Sequence, residues 1–499
     1  MTEPVLQLEG SLDQSMIPLD VATELRCYLK VRAAPALPAQ GRALVANICL
    51  VLDCSGSMTG DKAEAAIDAA RRIVDILDER HRISLVGFAL SSRILIDNAQ
   101  ATPAGRDAIK AKVDRLRQLI GGNTFLGGGI RTGSDLVQRF AADARILVVL
   151  SDGAADDPPE AHAQALRAKE LGIQLFAVGI GDDYEADQLR KLVTPSSGAV
   201  LAPGELEQLS ATFGELAARV ERFAATNAQI AVAPGDAVQP RQLYRALPQP
   251  GFLGDIAAPR AGAPAGAVDI RVGNVELGQT HAFVLTMIVP PHVDLAREIA
   301  RATLTFDVPA LGLVAQRQDI ELRVARGAEA RTTGAEISGA FRSAQIARLV
   351  DELADAQRRS AKDECLDRLA LLIRLSDEQG DDHAREAYEQ LRDSIAGDRP
   401  IAQRALNQLV IASTEQRPAA DAATVKQLYD VVLIAPGDAP ILLLRALRDA
   451  TGKTLRELSE LIATTPIAIG EALPRRTADA LIAQIDASGA GAVLKVRAR

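Results

Sequence analysis

The sequence predicts a multidomain α/β protein, in which a doubly wound domain is combined with β-rich, helical and small α+β parts. Strand and helix patterns alternate with Gly-rich turns over residues 44–223, which is typical of a mostly parallel sheet covered by helices on both faces. Short alternating strands cover 226–327, and helical periodicity covers 334–415. At 499 residues the chain is long enough for several domains.

The first apolar run of the α/β part carries the most chemical information. Residues 47–52 read as a buried parallel strand, and the run ends at Asp53, with Ser55 and Ser57 following at alternate positions. In open α/β sheets, ligands bind at the carboxyl ends of the strands. One carboxylate and two hydroxyls there form a hard-oxygen site of the kind that Mg²⁺ prefers. Asp and Ser also cap helices and make turns, so this pentad alone is not specific.

Two later segments are expected at the same edge of the sheet. Residues 121–124 place the hydroxyl of Thr124 on a Gly-rich loop, and a second apolar run, 146–151, ends at Asp152. Five oxygen-bearing side chains, in this order, resemble the metal-ion-dependent adhesion site of von Willebrand factor A domains: Asp53, Ser55, Ser57, Thr124 and Asp152. The resemblance implies a bound Mg²⁺, with Mn²⁺ or Ca²⁺ as alternatives. It also implies that the serines bind the ion directly, that the aspartates act partly through water, and that a partner's carboxylate fills the last position.

The remaining elements of this domain follow from periodicity. Helices are predicted near 62–77, 105–118, 126–141, 160–171 and 204–223, and strands at 82–88, 92–96, 145–150 and 173–180. The strand-like leader, residues 1–35, precedes the domain and needs another sheet to join. We therefore predict that it completes a β-sandwich with 226–327, so that the α/β domain is inserted in the sandwich. The predicted division is 1–40 (strands of the sandwich), 41–224 (von Willebrand factor A domain), 225–328 (β-sandwich), 334–418 (helical bundle) and 425–499 (small C-terminal domain).

The C-terminal segment carries a second recognisable pattern. A strand at 429–434 precedes predicted helices at 440–450, 455–462 and 475–487, and a strand at 493–496 closes the segment. With the stretches 430–433, 445–452 and 455–457, it resembles the C-terminal domain of the bacterial ribosomal stalk protein. The resemblance implies capture of translational GTPases, with Arg445, Arg448 and Glu457 at charged positions of that surface. Pro440 and Ser459 replace usual lysines, so reuse of the fold as a generic protein-docking module is the alternative.

Composition and charge exclude several classes of protein. The net charge of −9 and the pI near 5.3 argue against a general nucleic-acid binder. No run of about 20 apolar residues would span a membrane, and residues 1–4 do not begin a signal peptide. The four cysteines form no CxxC pair, so neither a disulfide framework nor a zinc site is expected. We predict a cytoplasmic protein that contacts neither membrane nor nucleic acid.

Catalysis is the main rival to a binding function. None of the five histidines lies in the three predicted metal loops. Asp156 and Asp157 could supply a base, but they are also expected at the rim of the site or before the helix that starts at Pro158. Residues 127–129 are three glycines without the lysine spacing of a P-loop. We predict no catalytic residues.

The function predicted from the sequence is a Mg²⁺-dependent interaction scaffold. The metal site would dock an acidic side chain of one protein, and the C-terminal domain would recruit another. The resemblance to bacterial A-domain proteins implies a MoxR-type AAA+ ATPase as one partner, and the stalk-like domain implies a translational GTPase as another. A metal-dependent hydrolase and a factor linked to the ribosome are the alternatives.

Overall fold

The computed structural model divides the chain into two compact units, residues 1–416 and 417–499. It describes residues 4–18, 20–37, 42–152, 155–181, 184–202, 208–235, 237–256, 266–291, 299–327, 331–332, 334–399, 401–414, 429–435, 443, 467–473, 485 and 491–496. Among the helices within these ranges, none is both long and apolar enough to cross a membrane.

The first unit begins with three strands, β1 (Leu6–Leu12), β2 (Gln14–Ile17) and β3 (Thr23–Ala33). β1 and β3 pair antiparallel, with Leu6 opposite Ala33. Leu25, Cys27 and Leu29 alternate along β3 and are almost fully buried. This alternation gives the leader one apolar face to contribute to a core.

The α/β domain follows on a six-stranded sheet. Its strands are β4 (Ala46–Asp53), β5 (Arg82–Phe88), β6 (Ser92–Gln100), β7 (Ala144–Ser151), β8 (Gln174–Gly179) and β9 (Val200–Leu201). The order is β6-β5-β4-β7-β8-β9, and every neighbouring pair is parallel except β5 and β6. All eight residues of β4 are buried, because helices cover both faces of the sheet. The predicted doubly wound fold is confirmed.

Six helices cover this sheet. They are α1 (Asp61–Ile76), α2 (Arg106–Val113), α3 (Leu126–Val137), α4 (Pro158–Glu170), α5 (Ala186–Val193) and α6 (Leu209–Glu221). α1, α2 and α6 share one core, and α3, α4 and α5 share the core on the other face. The three glycines 127–129 lie in the first turn of α3. A Cβ on Gly129 would lie 2.9 Å from Val51, and one on Gly127 would lie 2.5 Å from Glu160. The run therefore allows α3 to pack closely against the sheet and α4.

The strands after α6 complete a β-sandwich. They are β10 (Phe223–Pro234), β11 (Gln239–Leu247), β12 (Gly251–Asp255), β13 (Val268–Glu276), β14 (Thr280–Val289), β15 (Ala300–Val308), β16 (Leu313–Leu322), β17 (Ala325–Arg326) and β18 (Arg331–Thr332). One sheet has the order β1-β3-β14-β11-β12, the other β13-β10-β15-β16, and β17 and β18 flank β2. Both large sheets line one core. The α/β domain is thus inserted between β3 and β10, since β3 pairs along its length with β14.

A buried histidine of β14 is expected to make the stability of the protein depend on pH. His281 is 1% exposed, and its Nε2 lies 2.9 Å from Oε1 of Gln279. Burial, aided by the charges of Arg245 and Arg219, lowers the pKa of His281 to about 3. As pH falls below the ordinary value near 6.5, the unfolded chain takes up a proton that the folded protein does not. This group should therefore lower the free energy of unfolding by about 2 kcal/mol between pH 7.5 and pH 5.

Urea denaturation of the wild type and of His281→Gln at these two pH values checks this prediction. Other titrating groups act in both proteins, so the difference between their pH dependences isolates His281. Equal pH dependence in the two proteins would contradict the prediction.

Four helices close the first unit: α7 (Ala335–Arg358), α8 (Lys362–Gln379), α9 (Asp382–Ala396) and α10 (Gln403–Thr414). Their apolar side chains share a core with α3, α4 and α5, so the bundle packs directly on the α/β domain. Arg190 of α5 crosses this contact and donates to Asp351 at 2.6 Å and to the carbonyl oxygens of Ala347 at 2.8 Å and Val410 at 3.1 Å. The sequence predicted these helices but not their packing on the α/β domain. The apolar face of a helix shows that the helix is packed against something, but not against which surface.

The second unit contains three described strands, β19 (Tyr429–Ala435), β20 (Ile467–Leu473) and β21 (Gly491–Val496). They form an antiparallel sheet in the order β20-β19-β21. β20 was not predicted, because three of its seven residues are Ala or Gly, which are poor strand formers. The predicted helices at 440–450, 455–462 and 475–487 lie outside the described residues, apart from the buried Leu443 and Ile485.

Candidate metal centre

Asp53 is the last residue of β4, at the centre of the carboxyl edge of the sheet. It is 3% exposed, and both of its carboxylate oxygens are fixed. Oδ1 accepts the backbone N–H of Ser55 at 2.8 Å, and Oδ2 accepts the Ser151 hydroxyl at 2.9 Å. The N–H of Cys54 donates to the carbonyl of Phe88 at 2.7 Å, which ties the turn to the end of β5. The carboxylate is therefore held at one position before any ligand arrives.

The next hydroxyls connect Asp53 to the neighbouring strand. Ser55 Oγ lies 3.0 Å from Ser57 Oγ, and Ser57 Oγ donates to Oδ1 of Asp152 at 2.7 Å. Asp152 follows β7, which pairs parallel with β4, so the two carboxyl ends emerge side by side. We call Asp53, Ser55, Ser57 and Asp152 the oxygen cluster. Its members come from two segments that lie almost 100 residues apart in the sequence, around Asp53 and around Asp152.

The Gly-rich loop lies against this turn through its backbone. Gly121 N–H donates to the carbonyl of Cys54 at 2.8 Å, and Gly56 N–H donates to the carbonyl of Gly122 at 3.0 Å. Gly121 and Gly122 have φ angles of 141° and 91°, values that favour glycine. Thr124 follows two residues later and is 8% exposed. It is connected to the oxygen cluster through the backbone of its own loop.

Two aspartates of the next loop hold the Thr124 segment. Asp156 Oδ2 accepts the N–H of Thr124 at 2.7 Å, and Asp156 N–H donates to the Thr124 carbonyl at 2.9 Å. Asp157 accepts the N–H groups of Leu126 at 2.8 Å and Gly127 at 3.0 Å, at the start of α3. The sequence allowed three alternatives for these aspartates: a catalytic base, residues at the rim of the site, or residues that precede α4. In the structure their carboxylates bind backbone N–H groups and position the loop.

Lys62 is the residue that sequence reasoning missed. Its Nζ donates to Oδ2 of Asp152 at 2.7 Å, the oxygen that Ser57 leaves free. The Asp152 side chain is 0% exposed and that of Lys62 is 25% exposed. Lys62 lies in the first turn of α1, and side chains there tilt back toward the preceding loop. The sequence did contain a signal for this contact: a lysine at the start of a predicted helix, five residues after Ser57.

The oxygen cluster has the chemistry of a hard-cation site. Burial is the main cause that raises the pKa of Asp53, and the nearby charge of Asp152 adds to it. Two buried carboxylates of like charge favour a cation between them. Across the described part of the chain, no group of three or more His, Cys, Asp or Glu side chains is placed to hold a metal ion. A cation here would therefore depend on the serine hydroxyls as well, a donor set suited to Mg²⁺.

Cys54 and His81, two other residues of this domain with side chains that can bind metals, do not take part in such a site. Cys54 is 2% exposed, and burial raises the pKa of its thiol to about 12, so it remains protonated at neutral pH. His81 lies at the opposite end of the sheet, where Nδ1 accepts the N–H of Ala46 at 3.0 Å and Nε2 lies 2.7 Å from Glu221. The other predicted surface, Arg445, Arg448 and Glu457, lies outside the described residues.

Comparisons with known proteins agree with the fold of the α/β domain. The family model of the von Willebrand factor type A domain matches residues 47–215. An uncharacterised protein of Synechocystis sp. is 25% identical over 299 residues, which cover 57% of this chain and 67% of that protein. The solved structure of a von Willebrand factor type A protein from Catenulispora acidiphila superposes with a TM-score of 0.64 at 18% identity, covering 82% of this chain and 97% of the other. At that identity the superposition shows the fold.

The C-terminal region has a different relative. Large ribosomal subunit protein bL12 of Shewanella pealeana is 40% identical over 70 residues, which cover 14% of this chain and 58% of that protein. This similarity supports the predicted resemblance to the ribosomal stalk protein. The match of the α/β part to this family model suggests a role in protein interaction or adhesion. Residues 47–215 of this chain therefore form a von Willebrand factor type A domain.

Proposed function

We propose that this chain is a protein-interaction scaffold whose A domain binds a partner's carboxylate through a divalent cation. Asp53, Ser55, Ser57, Thr124 and Asp152 would hold the ion, with Mg²⁺ first and Mn²⁺ or Ca²⁺ as alternatives. The observation that carries the proposal is the continuous hydrogen-bonded path through the oxygen cluster, from Asp53 to Asp152. It brings hard oxygen donors from two loops to one point at the edge where α/β folds bind ligands.

The charges of the site favour an anionic partner. Asp53 and Asp152 contribute two negative charges and Lys62 one positive charge, so a divalent cation bound beside Lys62 would leave the site with a net charge of +1. Five protein ligands also leave a position open on an ion that takes six. A carboxylate supplies both the missing oxygen and the opposite charge. A partner's carboxylate would therefore complete the site, and this binding role, unlike hydrolysis, requires no catalytic base.

An exposed apolar residue beside the metal loops would add to the contact. Leu90 is 70% exposed and lies on the turn between β5 and β6. A Cβ built on Gly122 would lie 3.8 Å from the Leu90 Cβ, so this side chain adjoins the Gly-rich loop. The N–H of Phe125 donates to the carbonyl of Ala89 at 3.1 Å and ties the two loops together. The partner would thus present an acidic residue next to an apolar one.

The C-terminal domain would recruit a second protein. Its similarity to ribosomal protein bL12 favours a translational GTPase and a link to the ribosome as the second candidate function. A MoxR-type AAA+ ATPase, or another protein captured by a generic docking module, would fit the same scaffold. The two ends of the chain would then bring two partners together.

The proposal is tested by two measurements on the full chain. Addition of Mg²⁺ or Mn²⁺ at 100 times its dissociation constant should stabilise the first unit by about 2.7 kcal/mol relative to EDTA, because only the folded site binds the ion. Pull-downs from the native cell, with and without EDTA and with residues 425–499 removed, should then sort partners by the end that holds them. No stabilisation by either ion, or an EDTA-resistant partner of the A domain, would contradict the metal-dependent docking.

A further inference from the structure

We propose that Lys62 is a built-in counter-ion of the metal site, which holds Asp152 in the metal-free protein and competes with the divalent cation for it. This inference rests on the proposed metal site. Asp152 is fully buried, and its two oxygens have separate partners: Ser57 on Oδ1 and Lys62 on Oδ2, each at 2.7 Å. Without the ammonium, Asp152 would remain beside Asp53 as a second buried charge with no cationic partner.

The Lys62 side chain packs against neighbouring segments of the fold and does not extend freely into solvent. It starts from the first turn of α1 and passes over Gly181, which follows β8. A Cβ on Gly181 would lie 3.1 Å from Cε and 3.3 Å from Nζ of Lys62. Gly181 also has a φ of 80°, which favours glycine. Three segments, at α1, β7 and β8, therefore shape the place that the ammonium occupies.

Two cations cannot share one carboxylate without repulsion. A divalent cation that binds Asp152 either displaces the ammonium or lies beside it, and both arrangements weaken the affinity of the site for the metal. A partner's carboxylate would relieve this repulsion, because it adds a negative charge next to both cations. Lys62 would therefore keep the site weakly loaded until a partner arrives and make the binding of metal and partner cooperative.

Calorimetric titration of the full chain with Mn²⁺, together with thermal melting in EDTA, tests the inference. Lys62→Met should bind Mn²⁺ roughly tenfold more tightly than the wild type, since the competing charge is gone. The same variant should melt at a lower temperature in EDTA, since Asp152 loses its counter-ion. Lys62→Arg, which keeps the charge, should restore both values toward those of the wild type.

The outcomes separate this inference from the proposed function. If Lys62 has only a structural role, K62M will melt at a lower temperature but bind Mn²⁺ no more tightly, and the inference is overturned while the metal site stands. If neither the wild type nor K62M binds Mn²⁺, and Mg²⁺ stabilises neither of them, both are overturned. If K62M does not fold in EDTA, Lys62→Gln keeps a hydrogen-bond donor to Asp152 and should show the same tighter binding.

Discussion

Asp53→Ala is expected to weaken the binding of Mg²⁺ and Mn²⁺ by more than about 100-fold, because even residues that only support metal ligands contribute 10- to 100-fold. The variant should stay folded. Burial raises the pKa of Asp53, so its charge is a cost to the metal-free protein that alanine removes. Against this, the Ser55 N–H loses its acceptor, at about 1–3 kcal/mol, and the hydrogen bond from the Ser151 hydroxyl is lost as well. Calorimetry measures the affinity, and circular dichroism checks the fold.

A matched control lies on the Gly-rich loop. Asn123 precedes Thr124, is exposed and is not among the proposed ligands, so Asn123→Ala should bind the metal as the wild type does. Partners that depend on the ion should be lost with Asp53→Ala and kept with Asn123→Ala. A folded Asp53→Ala that binds Mn²⁺ with the affinity of the wild type would remove Asp53 from the ligand set.

Arg190→Met is expected to lower the free energy of unfolding of the first unit by about 3–5 kcal/mol. The Arg190 side chain is 3% exposed at the contact between α5 and the helical bundle, where its guanidinium donates to Asp351 and to two carbonyl groups. Methionine fills similar space but leaves the Asp351 carboxylate without its cation. Burial already raises the pKa of Asp351 to about 6. Losing Arg190 raises it further, so the destabilisation should be larger at pH 8 than at pH 5.

Denaturant unfolding at the two pH values measures this loss. Arg368→Met is the matched control, because its ion pair with Glu352 is partly exposed and should contribute no more than about 1 kcal/mol. Adding Asp351→Leu to Arg190→Met should recover much of the stability, since an apolar pair needs no counter-charge. Equal unfolding free energies for the two single variants would show that the Arg190 contacts do not hold the bundle in place.

The parts of the fold that the sequence predicted are those with a strong local period. β4 and β7 are continuous apolar runs that end in Asp, and the helical stripes of α1 and α8 are regular. β20 was missed because its Gly and Ala content weakens the strand pattern, and pairing with β19 decides its conformation. The packing of the bundle on α5 depends on Arg190 and Asp351, which are 161 positions apart. A single sequence contains no signal for that pairing.

The candidate site divides in the same way. The pentad from Asp53 to Ser57 predicted its own turn, and the parallel order of β4 and β7 predicted that Asp152 would be near. Asp156 and Asp157 precede α4 as predicted, but the hydrogen bonds that their carboxylates accept from Thr124 and Leu126 were not predicted, because these contacts appear only in three dimensions. The part that Thr124 would play in metal binding stays a prediction.

The insertion of one domain inside another affects the order in which the chain can fold during synthesis. β3 ends at Ala33, and its partner β14 begins at Thr280, roughly 250 residues later. At a ribosomal rate of about 5–20 residues per second, this interval lasts roughly 12–50 s. The α/β domain can fold from local contacts during this interval. Until β14 is synthesised, the backbone groups of β3 that pair with it have no partner. During that time the nascent chain carries a free strand edge, which a chaperone or the ribosome surface would need to protect from aggregation.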